Sequence, residues 1–184
     1  MKRRLFLTGP IGCGKSTAIA QALGDKLPQC GGFLTRRYRK PYLHFTLESP
    51  DGRQKATFLD FSDGSPKVDM DVFTSLGLAC LAPKNAMILD EIGGIELLNP
   101  EFTAALDSLL TSGAPTIGVI KGEGPAGALI ESLGLSEAYE QAVHQLRQRL
   151  KNDPDTLVYT CGQYDETALL LAKQWVEEYL HDEN

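Results

Sequence analysis

The chain has 184 residues, of which 42% are hydrophobic and 23% are charged, and its formal net charge is −6. This length is typical of one domain, and the composition is that of a globular protein rather than a disordered or fibrous one. Residues 1–60 carry 11 Lys and Arg against 4 Asp and Glu, whereas residues 61–184 carry 7 against 20. An acidic protein is a poor general binder of nucleic acid, so nucleic acid is not an expected ligand. The basic first third of the chain suits a small polyphosphate.

No apolar run is long enough to span a bilayer, and the basic residues at positions 2–4 are not followed by the apolar core of a signal peptide. We therefore expect no membrane partner. The chain has four scattered cysteines without a C-x-x-C pair, namely Cys13, Cys30, Cys80 and Cys161. This spacing argues against a zinc site or a disulfide framework and favours a reducing, cytoplasmic location.

A glycine-rich stretch lies between the first predicted strand, residues 3–8, and the first predicted helix, residues 15–24. It matches G-x-x-x-x-G-K-[ST], a phosphate-binding loop (P-loop) that requires this strand–loop–helix setting. We expect nucleotide phosphates to be bound by Gly9, Pro10, Ile11, Gly12, Cys13, Gly14, Lys15, Ser16 and Thr17. Glycines let backbone N–H groups point at an anion, and the helix N-terminus adds its positive dipole. We expect Lys15 to reach the β- and γ-phosphates and the Ser16 hydroxyl to bind Mg²⁺.

Residues 32–61 predict an antiparallel β excursion after the first helix. Residues 42–48 alternate between apolar and polar types, and Asp51-Gly52 is a hairpin turn signal. The densest group of cations in the chain precedes this hairpin and consists of Arg36, Arg37, Arg39 and Lys40. One of these arginines can stabilise transition-state charge on a γ-phosphate, and we assign that role to Arg39. The alternative is a solvated edge strand whose charges oppose aggregation.

Strands alternate with helices in the rest of the chain. The predicted elements are a helix at 71–82, a strand at 87–89, a helix from 100 to about 111, a strand at 115–120, a short helix at 125–133, a helix at 136–151, a strand at 156–160 and a helix at 165–180. This alternation predicts an α/β three-layer sandwich with a mostly parallel central sheet. We treat residues 1–184 as one domain, with 122–153 as a helical extension. Ligands of such sheets bind beyond the carboxyl ends of the strands.

The strand at 87–89 ends in Asp90-Glu91, as in the Walker B pattern. We expect Asp90 to hold Mg²⁺ and Glu91 to orient and deprotonate a water molecule as general base. The alternative is a solvated acidic turn. Lys121 follows the strand at 115–120 and is either a second contact for the γ-phosphate or a surface lysine.

Four segments together resemble a known family. They are 8–17 (TGPIGCGKST), 32–35 (GFLT), 67–69 (KVD) before Phe73, and 88–97 (ILDEIGGIEL) before Phe102. They resemble the small nucleoside-triphosphatase family first described from thermophiles, which is related to the AAA+ and RecA-like P-loop ATPases. The resemblance covers residues 3–120 well. It implies Mg²⁺-dependent hydrolysis of ATP, GTP and other nucleoside triphosphates to the diphosphate and phosphate, with Lys15, Asp90 and Glu91 in the roles given above.

The sequence departs from the pattern of this family at three places. Arg37 stands where the family usually has an acidic residue, and Gly94 stands where it usually has lysine. The stretch 160–165 lacks the usual Asn-Arg pair. Two other functions therefore stay open: a nucleotide-binding switch or delivery module that serves a partner protein, and a P-loop kinase for a small molecule.

Overall fold

A computed structural model describes residues 1–122, 131, 133–135, 137–163 and 165–180 of the chain. Its strands are β1 Arg4–Thr8, β2 Gly31–Tyr38, β3 His44–Glu48, β4 Lys55–Asp60, β5 Lys67–Val68, β6 Met87–Ile92, β7 Thr116–Ile120 and β8 Thr156–Thr160. Its α-helices are α1 Lys15–Leu23, α2 Leu78–Cys80, α3 Pro100–Thr111, α4 Glu137–Asn152 and α5 Glu166–Tyr179. Of the helices in these ranges, none has the length and apolar character that crossing a membrane requires.

The eight strands form one sheet in the order β5-β4-β3-β2-β6-β7-β1-β8. The pairs β2–β6, β6–β7, β7–β1 and β1–β8 are parallel. The pairs β2–β3, β3–β4 and β4–β5 are antiparallel. The predicted fold class, a mostly parallel sheet with an antiparallel excursion after the first helix, is confirmed. Strand β2 belongs to both parts, because its first half pairs with β6 and its second half with β3.

Two hydrophobic cores cover the two faces of the sheet. One contains Phe6 and Phe102 with the buried side chains of α3 and α4. The other contains Leu5 and Leu7 with Ile19 of α1 and Trp175 of α5. Because successive side chains of a strand point to opposite faces, neighbours on β1 enter different cores. This packing gives the three layers that the sequence predicts.

Most predicted elements differ from the observed ones by one or two residues. The predicted helix at 71–82 contains a π-helical turn at Phe73–Gly77, followed by α2. A Cβ atom on Gly77 would come within 2.9 Å of the Phe102 ring, so the glycine permits close packing on α3. The two-residue strand β5 was not predicted, since so short a segment carries no periodic pattern. The predicted short helix at 125–133 lies largely outside the described residues.

The start of α3 was predicted correctly. Asn99 accepts a hydrogen bond from the Phe102 N–H at 3.0 Å, and Pro100 occupies the first helical position. The side chain therefore satisfies an N–H group that has no partner within the helix, and the proline lacks the N–H that would otherwise be unsatisfied.

A partly buried ion pair fastens β1 to the segment that precedes β8. The Arg4 guanidinium lies 2.6 Å from Asp153 Oδ2, and its Nε also donates to Thr156 Oγ1 at 3.0 Å. Burial acts to raise the pKa of Asp153. Hydrogen bonds from the Thr156 hydroxyl and the Asp155 N–H, together with Arg4, outweigh burial and hold this pKa below its ordinary value.

We expect Asp153→Ala to lower the free energy of unfolding by about 2–3 kcal/mol, because it leaves the Arg4 guanidinium buried without its partner. The matched control is Asp107→Ala, which removes the more exposed pair with Arg149 and should cost less than about 1 kcal/mol. Urea denaturation at pH 7 measures both values. The contribution of ionised Asp153 is present above the ordinary pKa of 3.8 and is lost as pH falls through the lower folded-state pKa, so the excess loss should shrink in acid. Equal losses in the two variants would contradict this account.

Candidate active site

The P-loop joins β1 to α1 in a conformation that depends on glycine. Gly9 has a φ of 132°, and a Cβ atom there would lie 2.5 Å from the Cys161 carbonyl oxygen. Gly14 ends the loop in the left-handed region at a φ of 95°, and α1 begins at the next residue. No side chain caps α1, and its first turn has no acidic residue. The N-terminus of the helix therefore keeps its attraction for an anion.

The Lys15 side chain folds back over its own loop. Its Nζ donates to the Gly9 carbonyl at 3.0 Å and to the Pro10 carbonyl at 2.6 Å, and the residue is buried. The ammonium is thus held at the mouth of the loop by two carbonyl oxygens. These are neutral acceptors, which phosphate oxygens can replace with a gain in electrostatic energy.

Asp90 lies at the carboxyl end of β6 and meets the P-loop directly. The Ser16 hydroxyl donates to Asp90 Oδ1 at 2.8 Å, and Arg36 of β2 lies 3.9 Å from Asp90 Oδ2. Burial raises the pKa of Asp90 to about 6, although the Ser16 hydrogen bond and the Arg36 charge oppose this rise. A carboxylate with so high a pKa is poorly compensated by its protein partners and would gain from a nearby cation.

Glu91 lies in a β-bulge of β6 and has no paired residue on β7. Asp90 pairs with Val119 and Ile92 pairs with Ile120, so Glu91 is the extra residue on β6. Bulges of this kind re-aim side chains beside active sites. Glu91 Oε1 lies 2.6 Å from the Nζ of Lys121, the residue that follows β7.

The turn after β6 is held by a buried carboxylate. Glu96 Oε1 accepts hydrogen bonds from the N–H groups of Gly93 and Gly94 at 2.7 and 2.8 Å, and burial raises the pKa of Glu96. Tyr139 of α4 donates to the Gly93 carbonyl at 3.0 Å. Neither side chain is among the site residues predicted from the sequence. An acidic residue inside the apolar run 95–98 was the available signal for Glu96, whereas nothing local pointed to Tyr139.

The structure brings together four of the residues that the sequence analysis selected, which are Lys15, Ser16, Asp90 and Glu91. Arg39 lies just beyond the end of β2 and is exposed. Arg36, three residues earlier and within β2, is the arginine beside Asp90. The neighbouring Arg37 is exposed, and its guanidinium lies 5.7 Å from the centre of the Phe45 ring. Side-chain alternation along β2 therefore separates Arg36 from Arg37.

The other residues of the loop differ in exposure. Cys13 is buried next to Lys15, and its Sγ lies 3.5 Å from the Lys15 Nζ. Ile11 is 70% exposed at the tip of the loop, and Thr17 is exposed on the first turn of α1.

The fold and the arrangement of this site define a P-loop NTPase: the loop after β1 meets a buried aspartate at the end of β6, a parallel strand that is separated from β1 by β7 alone. A family profile described as NTPase matches residues 4–152. The chain therefore belongs to this NTPase family.

Individual relatives agree with this assignment. The chain is 31% identical over 159 residues to the cancer-related nucleoside-triphosphatase homolog of Mus musculus, a match that covers 72% of this chain and 83% of that protein. It is 30% identical over 129 residues to the nucleoside-triphosphatase THEP1 of Thermotoga petrophila, with 64% and 72% covered.

Solved structures share the fold. The solution structure of a human cancer-related nucleoside triphosphatase superposes with a TM-score of 0.63 at 24% identity, over 99% of this chain and all of that one. The crystal structure of THEP1 from Aquifex aeolicus gives a TM-score of 0.63 at 14% identity, over 97% and 99% of the two chains.

We expect Asp90→Asn to stabilise the protein at pH 8 when no nucleotide or divalent cation is added, since the amide keeps an acceptor for Ser16 without a buried charge. A pKa near 6 against the ordinary 3.8 sets an upper limit of about 3 kcal/mol at roughly 1.4 kcal/mol per unit. The folded-state pKa is raised, so the stability that comes from protonated Asp90 is complete below 3.8 and is lost as pH rises through about 6. The two proteins should therefore unfold at similar temperatures near pH 4 and diverge by pH 8 in calorimetry. A less stable Asn variant at pH 8 would contradict this reading.

Proposed function

We propose that the protein hydrolyses nucleoside triphosphates, ATP and GTP among them, to the diphosphate and phosphate in a reaction that requires Mg²⁺. The observation that carries this proposal is the 2.8 Å hydrogen bond from the Ser16 hydroxyl to Asp90 Oδ1. It joins the last part of the P-loop to the acidic end of β6. The proposed phosphate-binding, cation-binding and proton-accepting groups thus lie at the carboxyl ends of β1 and β6.

Triphosphate binding is assigned to the P-loop. The loop N–H groups and the uncapped start of α1 attract phosphate oxygens. Lys15 would exchange its carbonyl partners, Gly9 and Pro10, for oxygens of the β- and γ-phosphates. The remaining proposed contacts of the loop are backbone contacts from residues 9–17.

The donor set fits a magnesium ion that is shared with the substrate. Mg²⁺ is usually bound by one or two carboxylates together with substrate phosphates and waters, rather than by a cage of protein ligands. Asp90 and the Ser16 hydroxyl would hold the ion, and bound Mg²⁺ would neutralise charge on the β- and γ-phosphate oxygens.

Glu91 is the proposed general base. It directly follows Asp90, and its side chain is only partly exposed. Water attacks the γ-phosphorus, the bond from that phosphorus to the bridging β–γ oxygen breaks, and Glu91 accepts the proton of the water. The products are a nucleoside diphosphate and inorganic phosphate, which balances the reaction without an acceptor other than water.

An arginine of β2 would stabilise charge on the phosphates. The position of Arg36 beside Asp90 supports Arg36 in this role. The earlier choice, Arg39, stays a prediction, and variants of the two residues distinguish them.

The direct test of the function is phosphate release from ATP, GTP, CTP and UTP with Mg²⁺ and no other acceptor. Release from the purified protein supports hydrolysis, and comparison of the four substrates gives the base preference. Release only with an added acceptor would instead indicate a small-molecule kinase. Release that rises by orders of magnitude with a protein partner would indicate a switch or delivery module.

We expect Glu91→Gln to lower kcat for phosphate release by about 100-fold or more, because a positioned general base typically contributes 10²–10⁴. Nucleotide binding should be retained, since the amide is close in size to the carboxylate. Glu177→Gln, an exposed change on α5, is the matched control and should keep full activity. Unchanged hydrolysis by Glu91→Gln would refute the assignment of the base.

The two arginines give a second paired prediction. Arg36→Met should lower kcat by roughly 100-fold, because it removes a donor that would stabilise charge on the phosphates, whereas Arg39→Met should lower it by less than about twofold. Steady-state kinetics at saturating Mg²⁺ measure both. The reverse order would return the role to Arg39.

A further inference from the structure

Lys121 lies at the carboxyl end of a central strand, between the P-loop and Asp90-Glu91. It follows β7, which lies between the P-loop strand β1 and the Asp90-Glu91 strand β6. The Lys121 N–H donates to the Ile92 carbonyl at 2.8 Å. The Lys121 carbonyl accepts a hydrogen bond from the Arg147 side chain of α4 at 2.6 Å. The backbone of Lys121 is therefore fixed from both sides, and only its side chain is free to change partner.

The ammonium of Lys121 engages the proposed base. Its Nζ lies 2.6 Å from Glu91 Oε1, and the two side chains are 20% and 28% exposed. A charge-assisted hydrogen bond of this length in a partly shielded place is strong. While it persists, this bond engages Glu91 Oε1 and holds the carboxylate against Lys121.

Other charged groups of the site are also satisfied by protein partners. Lys15 rests on the carbonyls of its loop, and Ser16 and Arg36 contact Asp90. Phosphate oxygens of a triphosphate could replace the partners of Lys15 and Arg36, and its cation could replace the partners of Asp90. Lys121 differs from the rest in one respect, since its partner is the residue that acts on water. A change of partner at Lys121 therefore changes the availability of the base.

We propose that Lys121 is a catalytic residue that reports the presence of the terminal phosphate. It pairs with Glu91 when that phosphate is absent and moves to a γ-phosphate oxygen when a triphosphate binds, which releases Glu91 Oε1 for the attacking water. This inference rests on the proposed position of the γ-phosphate beside Lys15, Ser16 and Glu91. It requires that Glu91 and the γ-phosphate compete for one ammonium, so that the protein distinguishes a triphosphate from a diphosphate through Lys121.

Binding measurements test this competition without any need for turnover. Isothermal titration calorimetry with Mg²⁺ and either ADP or the non-hydrolysable triphosphate adenylyl imidodiphosphate would compare the wild type with Lys121→Met, Glu91→Gln and the double variant. Lys121→Met should weaken binding of the triphosphate analogue roughly five- to tenfold, within the usual range of coupling between sites, and change ADP binding by less than twofold. Lys121→Arg should recover part of the loss, because it keeps a cation.

The double variant separates competition from simple repulsion. Glu91→Gln alone should tighten binding of the analogue several-fold, because the ammonium no longer has a carboxylate partner. Loss of repulsion between Glu91 and the γ-phosphate would also produce this gain, but that gain would persist in the absence of Lys121. The proposal requires the gain to disappear in Glu91→Gln/Lys121→Met. Lys173→Met, an exposed change on α5, should leave both affinities unaltered.

Several outcomes overturn the proposal. These are equal losses for ADP and the analogue in Lys121→Met, no loss in either, or a Glu91→Gln gain that survives in the double variant. A thermal melt of each variant shows that it is folded, and Lys121→Arg gives the same comparison if Lys121→Met is unstable. A wild type that binds the analogue but releases no phosphate would refute hydrolysis and leave this test intact. Failure of the wild type to bind either nucleotide would overturn both proposals.

Discussion

The buried carboxylate of Asp90 is the constraint around which the site is built. It sits at the end of a central parallel strand, where burial raises its pKa to about 6. One hydroxyl and one more distant guanidinium are its protein partners, and both come from segments that also belong to the phosphate site. A charge held this way costs stability in the folded protein. A cation shared with a substrate would offset that cost, so the feature that weakens the fold would also favour binding of a metal–phosphate complex.

The polar and charged side chains named for the site contact one another or the P-loop backbone. Lys15 is paired with loop carbonyls, Ser16 and Arg36 with Asp90, and Lys121 with Glu91. A polyphosphate and a divalent cation supply better partners for each of these groups, because they carry more charge than the contacts they replace. Under the proposed mechanism, binding would be an exchange of partners rather than the filling of a preformed cage. Such an exchange would link recognition of the terminal phosphate to release of the proposed base.

The antiparallel excursion serves the site through its first strand. The beginning of β2 is a buried member of the parallel sheet, and its continuation leaves the core and pairs with β3. Arg36 lies where the strand leaves the core, and its guanidinium lies 3.9 Å from Asp90 Oδ2. Hydrogen bonds of the Glu96 and Tyr139 side chains to the backbone hold the turn after β6 in place. The site is therefore flanked by β2 and by the turn after β6.

The sequence by itself determined the local features: the P-loop between a strand and a helix, Asp90-Glu91 at the end of a strand, and the start of α3 at Asn99 and Pro100. These features depend on residues near one another in the chain, through backbone conformation, capping and periodic burial. The tertiary structure alone decided that β7 lies between β1 and β6, that Lys121 pairs with a glutamate 30 positions away, and that Arg36 lies beside Asp90 while Arg39 does not. Such contacts follow from which strands become neighbours when both faces of the sheet are buried, and no local pattern encodes that choice.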